Sequence, residues 1–185
     1  MAEKLSVKIY NGIKDDIENG RIDYKDFFSE AQIAEKYQVS KAPVRDALHL
    51  LAEQGYLVSY PRKGYMVNRF TIDEINQIQL IRRQIEYLSV ELIIKHASDE
   101  QIRSLYSYTD NQKNDSGNSE FHLAMAEMSG NKFLPETLRE LLSKIRIAKC
   151  SDEVNREKHK ALVDALCERS LERAHKCLEN DISFL

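Results

Sequence analysis

The chain carries little cysteine and no cysteine pattern. Cys150, Cys167 and Cys177 form no C-x-x-C pair. A sparse, odd set argues against a disulfide scaffold and for a reducing, cytoplasmic setting. The three read as small hydrophobes within a core. No apolar run approaches the ~20 residues of a membrane helix, so no membrane partner is expected. The N-terminus lacks the apolar centre of a signal peptide. There is no internal repeat and no low-complexity tract. Nothing supplies a clear nucleophile or a phosphate-binding loop, which leaves an enzyme reading little to stand on. Basic charge is not in excess either: the formal net charge is −3.

The distribution of charge says more than its sum. Residues 36–69 hold six Lys/Arg and two acids, a local +4, and the remainder carries −7. A basic face on an acidic body is the footprint of a DNA-binding module joined to something else. With 185 residues the chain has room for one domain or two small ones.

The organising stretch is Phe28 to Val67. It reads as helix, turn, helix and two-stranded wing. The first helix is expected over Ser29–Lys36, with Ser29 as N-cap, and Tyr37–Ser40 makes the turn. Ser40 is expected to cap the second helix, with Pro43 in its first turn, where a missing N–H costs nothing. Val44, Ala47, Leu48 and Leu51 recur at i, i+3, i+4 and i+7 and form its buried stripe. Ala42, Arg45 and His49 point away from that stripe, and Lys41 flanks its N-terminal end. Gly55 closes the helix. Tyr56–Tyr60 and Tyr65–Arg69 are strand-like, joined by Pro61-Arg62-Lys63-Gly64 with two cations at the tip. A helix with a cationic N-terminal end suits the DNA major groove. A basic hairpin tip suits phosphates or the minor groove. The bland alternative is a small helical domain with solvated charges. Upstream, Leu5–Glu18 is an amphipathic helix with Leu5, Ile9, Ile13 and Ile17 on one face, stopped by Gly20.

A second segment starts at Thr71. Thr71-x-x-Glu74 is a capping box, and Ile78, Ile81, Ile85, Leu88 and Leu92 hold one face of a long helix. Ser98–Tyr108 continues as helix, Thr109–Gly117 is a polar loop, and Asn118–Ser129 is helical, closed by Gly130-Asn131. Lys132–Lys149, Asn155–Arg169 and Leu171–Leu185 complete a bundle of about six helices. The expected architecture is mainly α: a winged helix-turn-helix DNA-binding domain over 1–70 and an all-α effector-binding and dimerisation domain over 71–185.

VSKAPVRDAL resembles the helix-turn-helix signature of the GntR transcription regulators, commonly V-S-R-T-P-V-R-E-A-L, and EQGYLV and RKGYMV resemble that family's helix end and wing. The resemblance implies that Ser40, Lys41, Ala42, Arg45, His49, Arg62, Lys63 and Gly64 meet double-stranded DNA. Two departures matter. Lys41 replaces the usual Arg and loses its bidentate geometry. Ala31 stands where many members place an Arg on the first helix.

SEFHLAMAEMSGN is similar to the D-x-x-F-H…(S/A)-G-N motif of the FadR-type effector (FCD) domain, and the six helices fit its smaller VanR-like subgroup. The resemblance implies a bundle with a central cavity, a divalent metal and a carboxylate effector. Matched to that motif, His122 and His159 fall on two of the family's three His positions. Asn118 stands in place of the Asp, and Asp181 in place of the third His. Positions 118 and 122 lie one turn apart on one helix face. His159 lies inside the stripe Leu162, Val163, Leu166, and Asp181 flanks Leu171, Ala174, Leu178, Ile182. Two imidazoles and a carboxylate make a usable site for Zn, Ni or Mn, although Asn is a weak, neutral ligand. The alternative is a metal-free pocket in which His122 and His159 hydrogen-bond within the core. Arg82 matches the family's R-x-x-x-E, whose Arg often reaches the pocket and would bind a carboxylate. It reads equally as an exposed i,i+4 partner of Glu86. Asn131 reads first as a turn residue, with effector binding as its second role. His175 is a spare histidine on the outer flank of the last helix.

The reading is a homodimeric regulator that binds an inverted-repeat operator, since one recognition helix reads only a half-site. A small-molecule effector would shift its DNA affinity. The rival readings are an effector-independent architectural DNA-binding protein, with a core free of polar cavities, and a hydrolytic metalloenzyme.

Overall fold

The structure, a computed structural model, describes residues 5–23, 25–109, 117–148 and 156–182. Its contacts separate into two units, Met1–Phe70 and Thr71–Leu185.

In the first unit α1 (Leu5–Glu18), α2 (Glu30–Tyr37) and α3 (Lys41–Glu53) precede a hairpin of β1 (Leu57–Tyr60) and β2 (Gly64–Val67). Ser29 caps α2 through a reciprocal box with Gln32, which satisfies backbone donors that a helix start would leave open. Ser40 has the extended backbone of an N-cap, but its side chain makes no capping bond. It caps by position alone, contrary to expectation. Val44, Ala47, Leu48 and Leu51 are buried against α1. Fully burying a leucine such as Leu48 or Leu51 contributes about 1.5–3 kcal/mol. Ile9, Ile13 and Ile17 answer from α1, whereas Leu5, expected on that face, is exposed. It belongs to the first turn, beyond the reach of the helices that cover the rest.

Asp16 joins α1 to α2. It lies 2.7 Å from Lys36 Nζ, accepts from Tyr37 Oη at 2.6 Å and accepts from Arg21 Nε at 2.6 Å. Burial disfavours its charge, but Arg21, Lys36 and Tyr37 outweigh burial and hold its carboxyl below the ordinary range. The hairpin pairs antiparallel, Leu57 with Val67 through Tyr60 with Gly64. Phe28 and Tyr65 exchange two backbone hydrogen bonds of 2.9 Å, tying the wing to the entrance of α2. Gly64 is required there: φ is +104°, and a Cβ would stand 2.3 Å from the Phe28 carbonyl oxygen.

The second unit holds α4 (Ile72–His96), α5 (Asp99–Ser104), a tight turn over Leu105–Tyr108, α6 (Gly117–Met128), α7 (Leu134–Ile147), α8 (Arg156–Cys167) and α9 (Leu171–Asp181). Six α-helices among the described residues match the bundle read from the sequence. The positions 110–116 of the expected polar loop, Cys150 and Asn155 lie outside the described residues. Cys167 and Cys177 are half-buried against the main core, with Phe121, Met125, Leu162, Leu166 and Leu178.

The long helix α4 does not bury the face its apolar spacing pointed to. Ile81 is 54% exposed and Leu88 40%, and Ile78, Ile85 and Leu92 are only partly covered. The buried stripe is Ile75, Gln79, Arg82, Glu86, Ser89, Val90 and Ile93. Both stripes have helical spacing. The inner one is affordable because its polar groups find partners inside the unit, and a buried polar group is tolerated only when paired.

Candidate DNA-reading face and buried polar site

On the winged unit the exposed side of α3 presents Lys41, Ala42, Arg45 and His49, with exposed Ser40 just ahead of them. Arg45 is oriented by a residue outside its helix. Its Nε lies 3.0 and 3.1 Å from the two Glu30 carboxylate oxygens, and its Nη2 lies 2.9 Å from Oε2. Arg45 pulls the Glu30 carboxyl below its usual range. Sequence reading missed Glu30; its place one residue after the Ser29 cap was the available signal. His49 lies 3.5 Å from Glu53 in an exposed pair. At the wing tip Arg62 has φ +66°, Lys63 reaches over the Phe27 ring at 5.5 Å, and Phe27 packs edge-on against Tyr60.

In the helical unit the chain brings together three of the four residues aligned with the metal motif. One ligand atom from each of His122 (α6), His159 (α8) and Asp181 (α9) lies within 4.8 Å of the others. His122 Nε2 is 3.0 Å and His159 Nε2 3.7 Å from Asp181 Oδ2. Both imidazoles are fully buried, and the Asp181 side chain is 7% exposed. Phe121 lies flat on the His159 ring, with centroids 4.2 Å apart, and so sets its plane. Asn118 is also buried, one turn before His122.

Among the described residues, several polar atoms of these side chains have no well-formed hydrogen-bond partner: Asn118 Oδ1, His122 Nε2 and both ring nitrogens of His159. His122 Nε2 and Asp181 Oδ2 approach to 3.0 Å as a charged pair, at an angle short of a well-formed hydrogen bond. Unpaired buried polar atoms are costly. Two imidazole nitrogens and a carboxylate oxygen gathered within 4.8 Å are a donor set a divalent ion takes. The residues therefore fit a metal.

The other nitrogen of His122 is engaged. Its Nδ1 lies 2.6 Å from Glu86 Oε2, and Arg82 Nε donates to Glu86 Oε1 at 2.7 Å. Arg82 and Glu86 are both buried, so the expectation of an exposed i,i+4 pair is overturned: the pair exists, but inside the bundle. Burial disfavours charge on Glu86, yet His122 and Arg82 hold its carboxyl below the usual range. Burial likewise opposes charge on His122, but Glu86, set against the opposing charge of Arg82, and Asp181 push it up to about 9. Asp181 is held low by both imidazoles in spite of burial. The sequence placed Glu86 beside Arg82 but not beside His122, 36 residues away. Asn131 serves the turn before α7, its Oδ1 accepting from the Phe133 backbone N–H at 3.0 Å. His175 stacks on Tyr87 with centroids 4.2 Å apart.

The chain matches two family descriptions. Residues 5–67 match "Bacterial regulatory proteins, gntR family", and residues 77–184 match "FCD domain". It is 28% identical over 143 residues to the uncharacterized HTH-type transcriptional regulator YdhC of Bacillus subtilis (strain 168), covering 71% of this chain and 64% of that protein. It thus spans just under two thirds of that relative's length. It is 26% identical over 155 residues to the Nta operon transcriptional regulator of Aminobacter aminovorans, covering 76% of this chain and 73% of the relative. The solved structure of E. coli McbR/YncC superposes with a TM-score of 0.79 at 20% identity, over 98% of this chain and 94% of that one, a likeness of fold.

Proposed function

The chain belongs to the gntR family of bacterial regulatory proteins, with an FCD domain as its second unit, and from this premise we propose a DNA-binding regulator controlled by a small carboxylate effector and a divalent metal. The family and its relatives are transcription regulators, so the hydrolytic-enzyme reading is set aside. The architectural reading expects a filled core without a polar cavity, and the buried His122 and His159, with ring nitrogens lacking well-formed partners among the described residues, weigh against it.

DNA is read by α3, with Arg45 and Lys41 foremost, and by the wing through Arg62, Lys63 and Gly64. Ser40, Ala42 and His49 complete the face. The support is their exposure beside a buried stripe that fixes the helix. The protein acts as a cytoplasmic homodimer on an inverted repeat. The exposed Ile81 and Leu88 of α4 support assembly through the second unit, since apolar groups left on a surface mark interaction sites when they gather.

The observation that carries the metal reading is the convergence of unpaired donor atoms of His122 and His159 on Asp181. Those three side chains, with the Asn118 amide oxygen, would hold Zn, Ni or Mn. When bound, the ion supplies positive charge that attracts an effector carboxylate. A second reading has His122 and His159 bind the effector directly, with Arg82 near its carboxylate. The contact already made between His122 and Glu86 favours it in part.

The test starts with selection of a DNA site from a random pool by the purified chain. Anisotropy titrations of the selected site then follow, with and without each of a panel of small carboxylates. An inverted-repeat site whose affinity changes with at least one carboxylate supports the reading. Failure to enrich any sequence contradicts the DNA-reading role.

A further inference from the structure

The Arg82–Glu86–His122 chain of contacts has a direction. Arg82 and Glu86 sit one turn apart on the inner face of α4, and Arg82 Nε holds Glu86 Oε1 at 2.7 Å. Arg82 Nη1 also lies 3.4 Å from Gln79 Oε1, a turn earlier on the same face. The other carboxylate oxygen, Oε2, faces His122 Nδ1 at 2.6 Å. A carboxylate in this position only accepts, so the proton between them belongs to Nδ1. With Nδ1 spent on Glu86, Nε2 is the nitrogen left facing Asp181 and His159. All three residues of the chain are within 1% of complete burial, so water does not compete for these bonds.

We propose that Glu86, braced by Arg82, is a positioning residue that fixes the His122 ring with Nε2 turned toward His159 and Asp181. Helix α4 then governs the ligand geometry of the site without contributing a ligand. This rests on the metal reading given above and adds to it a residue outside the aligned ligand set. A carboxylate behind a metal-binding imidazole sets its tautomer and orientation, and losing such a partner lowers metal affinity about 10–100-fold. It also gives Arg82 a task other than meeting an effector: its guanidinium holds Glu86 in place. The exposed alternative for this pair would have required α4 to be turned round, which its buried stripe excludes.

The experiment uses the full chain and two readouts. The first is the nitrogen-15 spectrum of the His122 side chain, without metal and with zinc added. The second is calorimetric titration with zinc and with manganese. In the unaltered chain a hydrogen-bonded Nδ1 proton is expected on His122 before metal, and zinc should shift Nε2 while that proton persists. Glu86→Gln should lose the protected Nδ1 signal and bind metal about 10–100-fold more weakly. Should Glu86→Gln fail to fold, the double change Arg82→Met with Glu86→Gln removes both buried charges together and is read the same way. Zinc shifting Nδ1, or a variant with unchanged His122 signals, overturns the proposal. If the unaltered chain takes up neither metal, the metal reading fails by itself, and the Nδ1 signal still decides whether Glu86 orients His122.

Discussion

Glu30, the first residue of α2, grips the guanidinium of Arg45 on α3 through three contacts of 2.9 to 3.1 Å. The side chain proposed to read DNA is thus aimed by the neighbouring helix rather than left to sample solvent. An exposed pair adds little stability, so its value lies in orientation.

Arg45→Ala should therefore weaken specific binding. If Arg45 makes a bidentate base contact, the loss is about 1–3 kcal/mol with relaxed discrimination at that base. A gel-shift titration against the selected site at fixed salt reads it. Unchanged affinity would refute the role.

Lys63→Ala acts differently. A wing-tip lysine meeting phosphate should weaken all sequences alike and lower the salt slope by about one unit. Titrations over a series of salt concentrations, on selected and random duplexes, measure both. Loss confined to the selected site would show that Lys63 reads bases instead.

Asp16 predicts an acid-sensitive winged unit. Its folded carboxyl titrates below the unfolded value of 3.8, because Arg21, Lys36 and Tyr37 outweigh burial. Its contribution is therefore fully present above that value and is lost as pH falls through the lower, folded one. Asp16→Asn should lower the melting temperature near neutral pH, and the gap to the unaltered protein should narrow as pH drops below about 4. A gap that stays constant with pH would contradict this.

The outward face of α4 bears on assembly. Ile81→Glu with Leu88→Glu should turn a dimer into a monomer by light scattering and leave the helical circular dichroism unchanged. Both side chains are already exposed within one chain, so folding does not need them. A monomer in the unaltered protein at micromolar concentration, with and without DNA, would defeat the dimer reading.

Local signals were the readable part of this sequence. The Ser29 cap, the box Thr71–Glu74 and the stripe of α3 follow from neighbours a few residues apart. The inward face of α4 did not. Four of its seven buried positions are polar, and only partners 36 and 95 residues away make burying Arg82 and Glu86 favourable: His122, and through it Asp181. For the same reason His122, His159 and Asp181 were found by motif spacing, whereas the place of Glu86 behind His122 needed the fold. Ser40 shows the opposite case: its sequence signal was clear, but the side chain does not make the expected bond.

The most direct test of the account is the metal content of the purified chain. Protein prepared without chelator should carry close to one divalent ion per chain by elemental analysis. After stripping, zinc, nickel or manganese should raise its melting temperature, because a ligand that binds only the folded state stabilises it. His159→Ala should abolish both effects, and Asn118→Asp should tighten binding by adding a charged oxygen. No bound metal and no shift with any of the three ions would contradict the account.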